Sequence, residues 1–189
     1  MGGNGAVTAT GGLKFKLSVM MFLQFFIWGA WFELNFAYVP SLGFGPWEIF
    51  AIFAAFNVAA LVAMFFSTQF ADRNFAAEKF LAFSQLVGGI AILGLFFVEP
   101  GWGLKAFGLN INLSFWAFFA LMLLHSLFYV PTISITNSIA FANLRDPEQE
   151  FGSVRVWGTI GWIFASWPFI FILADWTKVP PYGSVPFVE

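Results

Sequence analysis

Hydrophobic residues occur in five long and nearly continuous runs, and most charged residues lie between them. The runs cover about 17–39, 47–70, 80–98, 113–141 and 156–174. Each run is close to the roughly 20 residues that an α-helix needs to cross the hydrocarbon core of a bilayer. Strands of a membrane barrel would be about 10 residues long and would alternate in polarity, which these runs do not. The pattern predicts an all-α fold, a polytopic membrane bundle of five transmembrane helices.

The composition supports a membrane protein. Hydrophobic residues make up 60% of the chain and charged residues only 10%, against about a quarter charged in soluble domains. The net charge of −2 includes no basic block, so a nucleic-acid partner is not expected. The chain has no cysteine and one histidine, which leaves no ligand set for a metal cluster. We therefore expect the lipid bilayer as a partner, with no cofactor and no metal.

The positions of lysine and arginine predict the orientation, because short cytoplasmic loops carry an excess of both. A cytoplasmic N-terminus places Lys14, Lys16, Arg73, Lys79, Arg145 and Arg155 inside and only Lys105 and Lys178 outside. Residues 1–16 are then a flexible cytoplasmic tail and 175–189 an external segment. Transporters are often built from three-helix repeats that pair into six, so the five spans predict a fragment truncated before span six.

Span five carries the most informative side chain, because Arg155 stands at the start of a run with no other ionisable group. Thr159, Trp162 and Ser166 follow it at helical spacing, so all four residues share one face of a helix. Charge within a membrane segment is costly and usually faces a bundle interior or a wet cavity. The stripe predicts a lined solute pathway.

Two other spans show polar and aromatic stripes of the same period. They comprise Gln24, Trp28, Trp31, Asn35 and Tyr38 in span one, and His125, Tyr129, Thr132 and Thr136 in span four. Hydrogen bonding between helices would explain any one stripe, whereas three stripes together favour a pathway. We take Gln24, Trp28, Tyr129 and Thr132 as further candidate contacts of a solute. Flat rings with amides and hydroxyls suit a heterocycle joined to a polyol, and equally a sugar alone.

Glu33 lies inside span one, where a carboxyl is either a proton carrier or an outer-leaflet group that reaches the headgroups. An enzyme is not expected, because no span carries paired carboxylates or a nucleophile with a base. A non-transporting membrane sensor of a solute stays open as an alternative.

Four segments carry a resemblance to a known family. They are LSVMMFLQFFIWGAWF at 17–32, FADRNFAAEK at 70–79, HSLFYVPTISITNSIA at 125–140 and VRVWGTIGWIFASW at 154–167. The chain resembles the major facilitator superfamily and, within it, the nucleoside:proton symporter family. The string Arg-x-Trp-Gly-Thr-Ile-Gly is the specific part, whereas the Asp-Arg loop is shared across the superfamily.

The resemblance implies twelve helices in two six-helix halves, with the substrate between the halves and transport by alternating access. It places Arg155, Thr159 and Trp162 beside a nucleoside, and assigns Asp72 and Arg73 to a cytoplasmic gate that grips the missing C-terminal half. Trp162 stands where the family is expected to have phenylalanine.

Proton-coupled nucleoside uptake through a bacterial cytoplasmic (inner) membrane is the function that this resemblance implies. Uptake of a sugar or another polar solute is the alternative. Arg155 is expected to take part in proton coupling by pairing with a carboxylate, for which Glu33 is one candidate and the absent half could supply another.

Overall fold

The computed structural model describes residues 11–70, 77–106 and 109–173. It contains five helices and one short hairpin. The helices are α1 (Gly11–Ser41), α2 (Pro46–Phe70), α3 (Ala77–Leu95), α4 (Leu113–Asn143) and α5 (Pro147–Leu173). The strands are β1 (Gly103–Ala106) and β2 (Leu109–Asn112). The predicted all-α class is confirmed, and the five helices coincide with the five apolar runs.

Two helices begin well before their predicted starts, and α3 (Ala77–Leu95) lies three residues before the predicted 80–98 at both ends. The first helix begins at residue 11, so the part of the predicted tail from 11 to 16 is helical, and residues 1–10 lie outside the described chain. The fifth helix begins at residue 147, well before the apolar run at 156, because Glu148 and Glu150 in its first turn complement the positive helix N-terminus. Helix length in both cases exceeds the apolar run that the sequence displays.

Four helices in the described residues are long and apolar enough to cross a membrane. These are Gly11–Phe36, Pro46–Ala63, Ala77–Leu95 and Leu113–Asn143. In α5, Glu148, Glu150 and Arg155 all lie in the N-terminal third of the helix. Large apolar side chains are exposed around the bundle, for example Leu86 at 63% and Leu93 at 69%, as expected for helices that face lipid.

The connection between α3 and α4 forms the β1–β2 hairpin. Leu104 pairs with Ile111 in an antiparallel register. Ser114 secures the base of this hairpin, because its Oγ donates to the Glu99 carbonyl at 2.6 Å and accepts from the Trp102 backbone N–H at 2.9 Å. Two strands of four residues are too short to show a hydrophobic period, so the sequence pattern did not reveal them.

Helix α4 packs against α2 and α3, whereas α1 makes its most extensive contacts with α5. Glycines bring α1 and α5 together. A Cβ added at Gly29 would lie 2.9 Å from the Trp162 carbonyl oxygen, and one added at Gly161 would collide with the Phe22 carbonyl oxygen. The two helices therefore touch through their backbones, as small residues allow in membrane bundles.

Candidate functional site

Helix α5 carries two parallel stripes. The stripe that packs on α1 is fully buried and consists of Val154, Gly158, Gly161 and Ala165. The predicted polar stripe consists of Arg155, Thr159, Trp162 and Ser166. It follows the buried stripe by one residue, which is about 100° around the helix. The polar stripe therefore borders the α1 contact: Thr159 is exposed, and the other three side chains are half-buried.

Arg155 extends along α5 toward Gly158 and lies against α1. Its guanidinium carbon is 4.0 Å from the centre of the Phe25 ring, a distance at which the ring face attracts a cation. Gly158 makes room for this arrangement, because an added Cβ there would lie 2.6 Å from Arg155 Nη1 and 2.7 Å from Phe25 Cδ2. The Arg155 side chain is thus positioned by the Phe25 ring and by the space that the absence of a side chain at Gly158 leaves.

Trp162 belongs to an aromatic cluster formed by three helices. Its ring meets the edge of Trp28 at 4.9 Å between centroids and 77° between planes. Trp28 in turn stacks on Phe56 of α2 at 5.2 Å and 21°, and Phe32 lies 6.0 Å from Trp162. The Trp28 indole N–H is buried and has no hydrogen-bond partner in the described chain. The cluster offers flat apolar surface together with one unused donor.

Three other predicted contacts, Gln24, Tyr129 and Thr132, are brought together in a hydrogen-bonded network. Gln24 Nε2 donates to Thr132 Oγ1 at 2.7 Å, and the Tyr129 hydroxyl donates to the Gln24 carbonyl oxygen. Gln85 of α3 completes the network by donating from Nε2 to Gln24 Oε1 at 2.7 Å. The network joins α1, α3 and α4, and its members from α1 and α4 are buried.

Gln85 was not singled out in the sequence. The available signal was a lone amide in an otherwise apolar span, which has no periodic partner on its own helix. In a membrane bundle such a group almost always faces the interior and bonds to a neighbouring helix. That rule, applied to span three, would have found it.

Glu33 and Arg155 do not meet in this structure. The Glu33 side chain is exposed, and it lies eight residues beyond Phe25, which corresponds to about 12 Å along α1. The ion pair found in the described residues joins Lys14 Nζ to Glu150 Oε1 at 2.8 Å. Asp72 and Arg73, the predicted gate, lie outside the described residues.

A cavity of about 510 Å³ opens near the first turns of α1, next to α5. Phe15, Val19, Phe22 and Trp157 form its apolar lining, with Lys14 at one side. None of the predicted site residues that the structure describes lines it. The cavity therefore does not coincide with the polar stripe of α5.

The apolar helices are long enough to span a membrane, and they define a multi-pass membrane protein. A cation, a hydroxyl and two indoles border the contact between two of these helices, α1 and α5. Comparison with known proteins identifies its kind. The sequence profile of the nucleoside H+ symporter family matches residues 11–183, and the chain belongs to that family. The resemblance inferred from the four segments is thereby confirmed.

Individual relatives agree with this assignment. The putative nucleoside transporter YegT of Escherichia coli strain K12 is 41% identical over 148 residues, which cover 78% of this chain and 32% of that protein. The xanthosine permease of the same strain is 28% identical over 161 residues, covering 82% and 35%. The chain thus spans about a third of the length of these curated relatives.

A solved structure supports the fold. The crystal structure of a mutant of the nucleoside transporter NupG is similar to this chain with a TM-score of 0.70 and 28% sequence identity. The match covers 85% of this chain and 38% of that one. The five-helix arrangement is therefore shared with part of a larger nucleoside transporter.

Proposed function

We propose that this chain is the N-terminal part of a proton-coupled nucleoside uptake transporter. The observation that carries the proposal is the partly exposed polar stripe of α5 in a member of the nucleoside H+ symporter family. The stripe holds a guanidinium, a hydroxyl and an indole, and the indole lies beside Trp28. A nucleoside combines a flat base with a polyol. Indoles suit the base, whereas Arg155 and Thr159 suit hydroxyl and carbonyl groups.

Arg155, Thr159 and Trp162 are the proposed direct contacts, with Trp28 beside them. Gln24, Tyr129 and Thr132 are proposed as part of the pathway wall. Gln24 already donates to the Thr132 hydroxyl, and the Tyr129 hydroxyl to the Gln24 backbone carbonyl. Contact with a solute therefore requires exchange of one of these bonds for a bond to the solute.

The proposed location is a bacterial cytoplasmic membrane, with the N-terminus in the cytoplasm. The six to two distribution of basic residues supports this orientation. Asp72 and Arg73 then lie at the cytoplasmic side, where they serve as a gate against the other half of the transporter. That half, which this chain does not contain, completes the substrate site.

Proton coupling is proposed to involve Arg155. A guanidinium stays protonated at accessible pH, so its role is to pair with a carboxylate and control whether that carboxylate binds a proton. Glu33 is the candidate partner within this chain. Its side chain is exposed, and it lies about 12 Å along α1 from Phe25, the residue that Arg155 contacts. This separation favours a carboxylate from the other half as the partner. We propose transport without an enzymatic step.

Uptake of labelled nucleoside by cells that lack their own nucleoside carriers tests the proposal, with the full-length protein expressed in them. Nucleoside should accumulate, unlabelled nucleosides should compete, sugars should not, and a protonophore should abolish accumulation. Competition by sugars but not by nucleosides would assign the protein to another solute. No uptake with the protein present in the membrane would favour a sensor.

A further inference from the structure

His125 of α4 uses one ring nitrogen and leaves the other free. The side chain is only 2% exposed, and Nδ1 lies 2.9 Å from the Gly88 carbonyl oxygen of α3. A carbonyl oxygen can only accept, so Nδ1 carries the hydrogen in this bond. In the neutral ring Nε2 therefore has a lone pair, and it is buried with no hydrogen-bond partner in the described chain.

Two aromatic rings enclose the imidazole. Tyr129 stacks on it at 5.2 Å and 14°, and Trp31 of α1 meets it perpendicularly at 5.1 Å and 88°. Gly88 of α3 lies directly beside the ring, where an added Cβ would be 3.4 Å from Nδ1, at van der Waals contact. A charge on a buried ring is costly, and aromatic rings within about 6 Å attract a cation, so these two rings offset part of the cost of protonating the imidazole.

No charged side chain contacts His125 in the described residues. On α1, Glu33 is two residues beyond Trp31, about 200° around the helix, and its side chain is exposed. On α3, Glu78 and Lys79 are exposed in the first turn.

Helix α2 has one charged residue, Glu48, which accepts hydrogen bonds from the Gly45 backbone N–H and from Asn112. Helix α4 has none. The Tyr129 hydroxyl, which also titrates, donates to the Gln24 carbonyl oxygen. A proton at Nε2 would therefore add a full positive charge to this part of the bundle.

Two buried hydroxyls belong to residues that are close to His125 and to its partner Gly88 along their helices. Ser126 follows His125 directly, and Ser84 is one turn before Gly88, on the face of α3 that contacts α4. Neither Oγ has a hydrogen-bond partner in the described chain. Polar atoms without protein partners are costly within a membrane, and a hydroxyl can both donate a hydrogen bond and accept one.

We propose that Nε2 of His125 is a proton-binding site of the transport cycle. The proton adds to the lone pair of Nε2 and gives an imidazolium, while Nδ1–H stays on the Gly88 carbonyl oxygen; loss of the same proton restores the neutral ring. The proposal rests on the proposed proton-coupled function. It assigns the proton to a group in this chain, separate from the carboxylate that pairs with Arg155.

The substitution His125→Asn separates this role from a structural one. The asparagine amide places an N–H near the position of Nδ1, so the bond to Gly88 can form, but the side chain cannot bind a proton in the physiological range. In the full-length transporter, nucleoside exchange without a gradient should continue, whereas accumulation driven by a proton gradient and proton entry during uptake should be lost. The matched control on the same helix is Ser134→Ala, at an exposed position.

Unchanged proton-driven accumulation in the His125→Asn variant would overturn the inference and leave the proposed function in place. Loss of exchange as well, in a folded variant, would also overturn it, since the residue would then serve translocation itself. If His125→Asn does not reach the membrane, His125→Gln, which places its amide near Nε2, provides the same two readouts. If the parent takes up no nucleoside, the proposed function fails, and the inference fails with it.

Discussion

The glycine contact between α1 and α5 gives the sharpest test of the fold. Gly161→Ala adds one methyl group where the nearest atom is the Phe22 carbonyl oxygen, and a backbone atom cannot turn aside as a side chain can. The helices must separate, which for an overpacked site costs about 1–3 kcal/mol. Gly152→Ala is the matched control on the same helix, because an added Cβ there meets nothing within 4 Å.

Both substitutions gain the same helix propensity, roughly 1 kcal/mol for Gly to Ala. That term cancels in the comparison, so the free energy of unfolding of Gly161→Ala should be about 1–3 kcal/mol below that of Gly152→Ala. Unfolding of the purified chain in detergent, followed by tryptophan fluorescence, measures the difference. The fluorescence should also change in the folded state, since Trp28 and Trp162 share this contact. Equal stability of the two variants would refute backbone-to-backbone packing.

Trp162→Ala in the full-length transporter should weaken nucleoside binding about tenfold or more, if base stacking of roughly 1–3 kcal/mol is lost. Arg155→Gln should keep nucleoside exchange but lose accumulation against a gradient. Gln85→Leu should destabilise the purified chain by about 1 kcal/mol in detergent unfolding, because Gln24 Oε1 loses its donor. Single cysteines at Asn74 and Gly108 should react with an impermeant reagent from opposite sides, Gly108 from outside.

Contrary results would be equally informative. Unchanged binding in a folded Trp162→Ala variant would make the ring structural, with Trp116→Ala, an exposed tryptophan on α4, as the reference for loss of an indole. If Arg155→Gln still accumulates nucleoside fully, the only remaining role of Arg155 is to hold the start of α5 at the cytoplasmic side. Full stability of Gln85→Leu would mean that the network contributes nothing measurable. Labelling of Asn74 in intact cells would reverse the orientation.

Hydropathy alone predicted the five helices, because continuous apolar runs determine where a membrane helix can form. It could also identify the stripe of Arg155 and Trp162, since helical spacing determines which residues share a face. It could not show that this stripe lies beside the α1 contact, because the rotation of α5 is set by Gly158 and Gly161 meeting Phe25 and Phe22. The rotation of α5 depends on contacts between helices, and no local sequence pattern shows it.

The hydrogen-bonded network at Gln24 also could not be predicted from helical spacing alone. Spacing identified Gln24, Tyr129 and Thr132 as polar positions, but the same spacing is compatible with a solute contact and with a bond to a neighbouring helix. The choice depends on Gln85, whose helix carries no matching stripe. Distances between helices were needed to see that these side chains are already engaged.

The backbone contact at Gly29 and Gly161 has a mechanical consequence. Helices separated by long side chains can slide, because rotamers adjust to each new register, whereas two backbones in direct contact leave no such adjustable layer. We therefore expect helices α1 and α5 to move as one rigid body in a conformational change. Any motion that carries Arg155 should also carry Phe25 and Trp28, so this side of the proposed pathway should keep its shape while other helices rearrange around it.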